Sequence, residues 1–178
     1  MFLVGEKIVH PLYGAGVISS IEIREFVGTT NEYYIVELLF RNEVIMVPRS
    51  QAVSLGVRKT ICLEKAKEVR HVLSKPCKET NPNWNKRYKE NMDRLRTGDV
   101  IEVAYVVRDL SDREKSKGLS ARERKMLTSA IKILVSELAC VHESDFNETK
   151  SQVKELLLEN VIDIKSALEN SKVNEIRA

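Results

Sequence analysis

The chain has little of several things that define other protein classes. Its 178 residues hold three cysteines, Cys62, Cys77 and Cys140, far apart and odd in number. They make no CxxC pair and no disulfide framework, which fits a reducing cytosol. The longest unbroken apolar run is Val103-Ala-Tyr-Val-Val107, whereas a membrane span needs about 18 apolar residues. The N-terminal Met1-Phe-Leu-Val-Gly5 has neither a basic leader nor a long apolar stretch, so no secretory signal is expected and the expected location is cytoplasmic. Aromatic residues are 6% of the chain, with a single tryptophan. Three histidines, His10, His71 and His142, form no HExxH pair. There is no GxxxxGK[ST] loop, Gly14-Ala-Gly16 lacks the third glycine of a dinucleotide fingerprint, and no DxDxDG loop occurs. His71 and Cys77 are near in sequence, but a loop cysteine beside a surface helix is the simpler reading. The chain reads as a non-enzyme with no metal, no cofactor and no small-molecule substrate.

What is present is charge and two kinds of periodicity. Charged residues are 31% of the chain, and 43% is hydrophobic, enough for a core. Residues 1–60 balance 6 Lys and Arg against 6 Asp and Glu, residues 61–126 carry 17 against 11, and residues 127–178 carry 6 against 9. The positive surplus therefore sits in the middle third, as it would if that region faced a polyanion or simply displayed a solvated helical surface.

Residues 1–54 read as β. Lys7–His10, Gly16–Ile23, Glu32–Phe40 and Glu43–Val47 are strand candidates, separated by Pro11-Leu-Tyr-Gly14, a tip at Gly28-Thr-Thr-Asn31 and a turn at Arg41-Asn42. Four or five short strands suggest a small curled sheet or barrel, too small to be more than marginally stable unless it leans on the rest of the chain. From residue 60 the period becomes helical. Leu63, Ala66, Val69 and Leu73 share a face, as do Trp84, Tyr88, Met92 and Leu95 beyond a loop at 74–83. Gly98 is a terminator, and Asp99-Val-Ile-Glu102 fits a capping box opening a helix through Leu110. Ser120-Ala-Arg-Glu123 is a second box, opening a helix with Leu127, Ala130, Leu134, Leu138 and Val141 on one side. A last amphipathic helix is expected over 148–170. The predicted fold class is α+β, a β module at 1–56 followed by an all-α bundle of about five helices at 61–170.

Asn83-Trp84-Asn-Lys86-Arg87-Tyr88-Lys89 combines a capped helix start, the tryptophan and three cations. Cations neutralise phosphates and release counterions. A large apolar side chain at the edge of such a patch can wedge against a base step in the minor groove. By spacing alone, Trp84 equally heads the core stripe of its helix. Arg122, Arg124 and Lys125 crowd the start of the Ser120 helix, where positive charge is locally unfavourable.

These residues also carry a resemblance. Val9-His-Pro-Leu-Tyr-Gly-Ala-Gly-Val17, Glu32-Tyr-Tyr and Val44-Ile-Met-Val-Pro48 resemble the RNA-polymerase-interacting domain of the CarD/CdnL family, which transcription-repair coupling factors share. The Trp84 segment, Gly98-Asp-Val100, Val107-Arg-Asp-Leu110, Gly118-Leu-Ser120 and the Met126–Ala139 run resemble the family's helical DNA-binding domain. The resemblance spans roughly residues 2–141. It implies a Tudor/SH3-like barrel docked on the polymerase β subunit, partly by strand-edge pairing, with Arg24, Met46, Pro48 and Arg49 at the contact. Many members carry Arg where this chain has Met46, so Arg49 would supply charge and Met46 apolar contact. The resemblance further implies that Trp84 wedges at the upstream edge of the promoter bubble, with Lys86, Arg87, Lys89, Arg124 and Lys125 on the DNA backbone. The expected partners are RNA polymerase and promoter DNA, with no membrane, and the expected action is stabilisation of the open complex without sequence reading.

Overall fold

The computed structural model describes residues 1–26, 28–77 and 81–158. Five antiparallel strands come first: β1 (Lys7–His10), β2 (Gly14–Phe26), β3 (Thr29–Leu38), β4 (Val44–Pro48) and β5 (Arg58–Lys59). They lie in the order β4-β3-β2-β1-β5, so β4 and β5 are the two edges. Helices α1 (Leu63–Ser74), α2 (Trp84–Arg96), α3 (Val100–Ser116) and α4 (Ala121–His142) come next. Residues 146–158 form a further helix, α5, up to the last described residue. The α+β class with a small Tudor-like sheet before helices is therefore the observed one.

The β2–β3 hairpin is tighter than its sequence suggests. Thr29, Thr30 and Asn31 are not a tip but pair with Phe26, Glu25 and Arg24, leaving the reversal to Gly28 at φ +73°. β-branched residues on both arms favour continuing the ladder over opening a wider loop. A register shift between Ile18 and Ser20 bends β2, so its first half packs inward while its second half projects. The sheet's own core is Phe2, Ile8, Ile18, Tyr34, Val36, Val47, Ala52 and Val57. Tyr34 is 1% exposed, and its hydroxyl accepts the Phe2 amide at 3.1 Å, which ties down the N-terminus.

The helical core gathers Ala66, Val69 and Leu73 of α1, Val103, Ala104, Val107 and Leu110 of α3, and Leu127, Ala130, Leu134 and Leu138 of α4. Val153 and Leu157 of α5 join them. Leu63 departs from its predicted face and is half exposed, because it lies at the first residue of α1. The Ser120–Glu123 capping box forms with both hydrogen bonds. The Asp99 box does not. Asp99 accepts the Ile101 amide at 2.8 Å, but Glu102 pairs with Arg94 at 3.5 Å instead of reaching back. The Asp99 amide is taken by the Thr97 hydroxyl at 3.1 Å, so the site Glu102 would fill is already occupied. Asp145 caps α5, which starts two residues earlier than expected. The rest of the 148–170 expectation, from residue 159 on, lies outside the described residues.

The sheet does lean on the helices. The Ala15 amide donates to Ser136 Oγ at 2.9 Å, and Val9 and Ala15 pack with Cys140. Gly14 sits at φ +89° with Ser136 so close that a Cβ would strike the hydroxyl. Arg58 forms a bidentate pair with Glu137, with Nη2 to Oε2 at 2.8 Å, and donates through Nε to the Gly98 carbonyl at 2.7 Å. Glu137 is 1% exposed and also accepts the Ile61 amide at 3.1 Å.

Candidate nucleic-acid and protein-docking surfaces

The start of α2 is built by its cap. Asn83 accepts the Asn85 and Lys86 amides, and its own amide is held by the Asn81 side chain at 3.0 Å. This fixes where Trp84 emerges, at the first helical position, where no preceding turn shields it. Tyr88, Met92 and Leu95, below it on the same stripe, pack against the helical core, whereas Trp84 stays 44% exposed and outside that core. Lys86 and Lys89 are exposed beside it.

Arg87 departs from the role the resemblance implies. It was expected on the DNA backbone, but it is 3% exposed and forms a buried pair with Glu123 at 2.6 Å. Its Nη1 also donates to the carbonyls of Asn81 at 2.6 Å and Pro82 at 3.4 Å. Three residues after Trp84 and one before Tyr88, its side chain lies beside the apolar stripe and points inward while Lys86 and Lys89 point out, against the role the resemblance implies. It fastens the Trp84 loop to α4 instead of meeting solvent. Burial opposes ionisation of Glu123, but hydrogen bonds from Ser120 and the Arg87 guanidinium outweigh it and hold the carboxyl below its ordinary range.

The cations of α4 divide. Arg124 is exposed and bonds Glu114 at 3.0 Å, on the α3 side. Arg122 and Lys125 stand on the opposite flank, over a cleft between α2 and α4.

On the sheet, β4 is an open edge. The Arg49 amide donates to Glu32 O and the Leu38 amide to Glu43 O, so residues 43, 45, 47 and 49 face β3. By alternation, the main-chain polar groups of Val44 and Met46 and the carbonyl of Pro48 face outward. The same alternation puts Val47 in the core and leaves Val44 60% and Met46 49% exposed. Arg24 is exposed on β2 and pairs with Glu22. Arg49 is drawn inward: it bonds Glu32 at 2.6 Å, lies 6.0 Å from the Tyr34 ring centroid and reaches Met1 Sδ at 3.3 Å. It is committed to internal ties, leaving apolar Met46 and Val44 as the open face of the edge. Val44 escapes a sequence reading because edge exposure depends on strand order, which no local pattern encodes.

Cys77 donates to Asp109 Oδ1 at 3.3 Å, and burial together with that carboxylate pushes its thiol up to about 12. A thiol held protonated as a donor is the opposite of an activated nucleophile. Among the described residues no group of three His, Cys, Asp or Glu side chains is placed to hold a metal, and no helix is long and apolar enough to cross a membrane.

Comparison with known families finds two matches. Residues 2–61 match the CarD-like/TRCF RID domain, and residues 68–154 match the CarD C-terminal domain. A curated relative from Bacillus subtilis (strain 168), described as "Putative transcription factor YdeB", is 37% identical over 141 residues, which cover 79% of this chain and 92% of the relative. The chain belongs to the CarD family. Membership places it among CarD-like transcription factors and implies contact with RNA polymerase through the N-terminal sheet.

Proposed function

We propose that this CarD-family protein docks on the β subunit of RNA polymerase through the open β4 edge and stabilises the promoter open complex with Trp84. On the sheet side, an incoming strand would pair with the outward main-chain groups of Val44 and Met46, while their side chains and exposed Arg24 supply specificity. On the helix side, Trp84 wedges into the minor groove at the upstream edge of the bubble. Lys86 and Lys89 neutralise adjacent phosphates, and Arg124 reaches the backbone farther along, while Lys125 stands over the cleft between α2 and α4 instead.

The observation that carries the reading is the exposed indole at a capped helix start, 44% accessible while the rest of its stripe is packed. A wedge that fits splayed duplex better than closed duplex shifts the opening equilibrium by its differential affinity; about 1.4 kcal/mol gives a tenfold shift. Among the described residues no helix presents a base-reading array, so contacts to phosphate and to groove shape dominate and sequence preference is small. Docking on the polymerase supplies the effective concentration that lets weak DNA contacts suffice.

The test is promoter-opening kinetics with purified polymerase, with and without the protein, at two salt concentrations. The expected result is a longer-lived open complex whose gain shrinks at the higher salt. An adaptor that binds polymerase without touching DNA gives a gain of zero at both.

A further inference from the structure

The cleft between α2 and α4 is distinct from both surfaces described so far. It encloses about 730 Å³ and is closed at one end by the sheet's loops at Pro11-Leu12 and Leu55-Gly56. β1 and the approach to β5 supply those loops, so the cleft lies at the end of the sheet away from the β4 edge. It therefore stays open while that edge is engaged.

α2 packs on α3 and is joined to α4 by the Arg87–Glu123 pair. Below that pair the two helices leave a gap. Its floor is apolar, with Tyr88, Met92, Leu95, Met126 and Ile133. Leu12 and Leu55 form its lip at 72% and 42% exposure. Two methionines in the floor give a surface that repacks around different side chains. The charge is one-sided: Arg96 stands on the α2 wall, Arg122 and Lys125 on the α4 wall, and no Asp or Glu lines the cleft among the described residues.

We propose that this cleft is a third docking surface, which receives an amphipathic α-helix of a partner protein bearing leucine-type anchors on one face and carboxylates on its flanks. A volume of this size takes the apolar anchors of a helix of two to three turns, and the cations on both walls match acidic flanks along its length. Duplex DNA fits the observations less well. Phosphates would meet the rim cations, but the apolar floor and the exposed leucine lip would face nothing.

The probe is a fluorescent 18-residue helical peptide with leucines at i, i+3, i+4 and i+7 and glutamates flanking them, beside a counterpart with lysine flanks. Anisotropy with the full chain is expected to show the acidic peptide binding at least tenfold tighter. Arg96→Glu with Arg122→Glu, both at exposed positions, is expected to reverse that preference. Leu12→Asp, with the rim intact, is expected to weaken the acidic peptide at least fivefold. Circular dichroism checks that each variant is folded. Equal binding of the two peptides, or binding indifferent to the rim and lip variants, overturns the proposal. So do the alternative occupants: displacement of the peptide by a 20-base-pair duplex, a Leu12-dependent dimer in sedimentation, or equally tight binding of a peptide of this chain's residues 159–178.

Discussion

Helix α4 carries two buried glutamates, each 1% exposed and each receiving an arginine from another element. Glu123 takes Arg87 of α2, and Glu137 takes Arg58 of β5. The first pair lies wholly within the helices and anchors the loop that presents Trp84. The second crosses between sheet and helices and also collects the Ile61 amide at the junction. A lone buried pair is weak evidence for stability, because desolvation opposes the Coulomb gain. Its value here is placement. One pair fixes where the indole stands on the helices, and the other fixes where the helices stand on the sheet. The proposed wedge on a docked sheet would require both.

The largest loss is expected at the junction. Glu137→Ala leaves Arg58 without its partner and the Ile61 amide without an acceptor, with an expected loss of about 3–5 kcal/mol. Urea denaturation followed separately on sheet and helix signals is expected to show the two parts unfolding out of step. Arg87→Ala is expected to cost less, about 2–3 kcal/mol, because Glu123 keeps its Ser120 hydrogen bonds at 2.8 and 3.0 Å. It is also expected to shorten the open-complex lifetime while leaving the salt slope of DNA binding unchanged, since a buried arginine releases no counterion. Gly14→Ala is expected to cost about 1–2 kcal/mol in thermal unfolding, from its left-handed backbone and the contact with Ser136. Lys86→Ala and Lys89→Ala are expected to leave stability within about 0.5 kcal/mol and each lower the log–log salt slope by about 0.9. The smallest effect is in pH. Glu123 has a depressed folded pKa, so the stability it adds is present above the ordinary carboxylate range and disappears as pH falls through the lower folded value. The gap between wild type and Glu123→Gln is expected to close in acid, and a gap that stays constant from neutral to acid pH contradicts the assignment.

Sequence periodicity sufficed for the helices, because the 3.6-residue repeat and the caps are local properties. Ser120 with Glu123 and the Gly98 terminator, at φ +70°, behave as their spacing indicates. Local pattern was also enough to single out the Asn83–Lys89 segment, but not to choose between core and surface for Trp84. That choice depends on how α2 sits on α3. The two arginine–glutamate pairs were invisible for a related reason: Arg87 and Glu123 are 36 positions apart, and Arg58 and Glu137 are 79 apart. Arg87 looked like one more surface cation because its neighbours are. Met46 and Pro48 stood out through the family resemblance, but that β4 is an edge is set only by strand order. The cleft is assembled from four separate stretches of chain and leaves no trace in any one of them.

In the proposed function an exposed indole, held by a buried ion pair, prefers melted duplex. The most direct measurement is the lifetime of the promoter open complex with the Trp84→Ala protein, checked for a normal fold and normal polymerase binding. The expected fall is about tenfold, the equivalent of about 1.4 kcal/mol. A lifetime equal to that with the wild-type protein contradicts it.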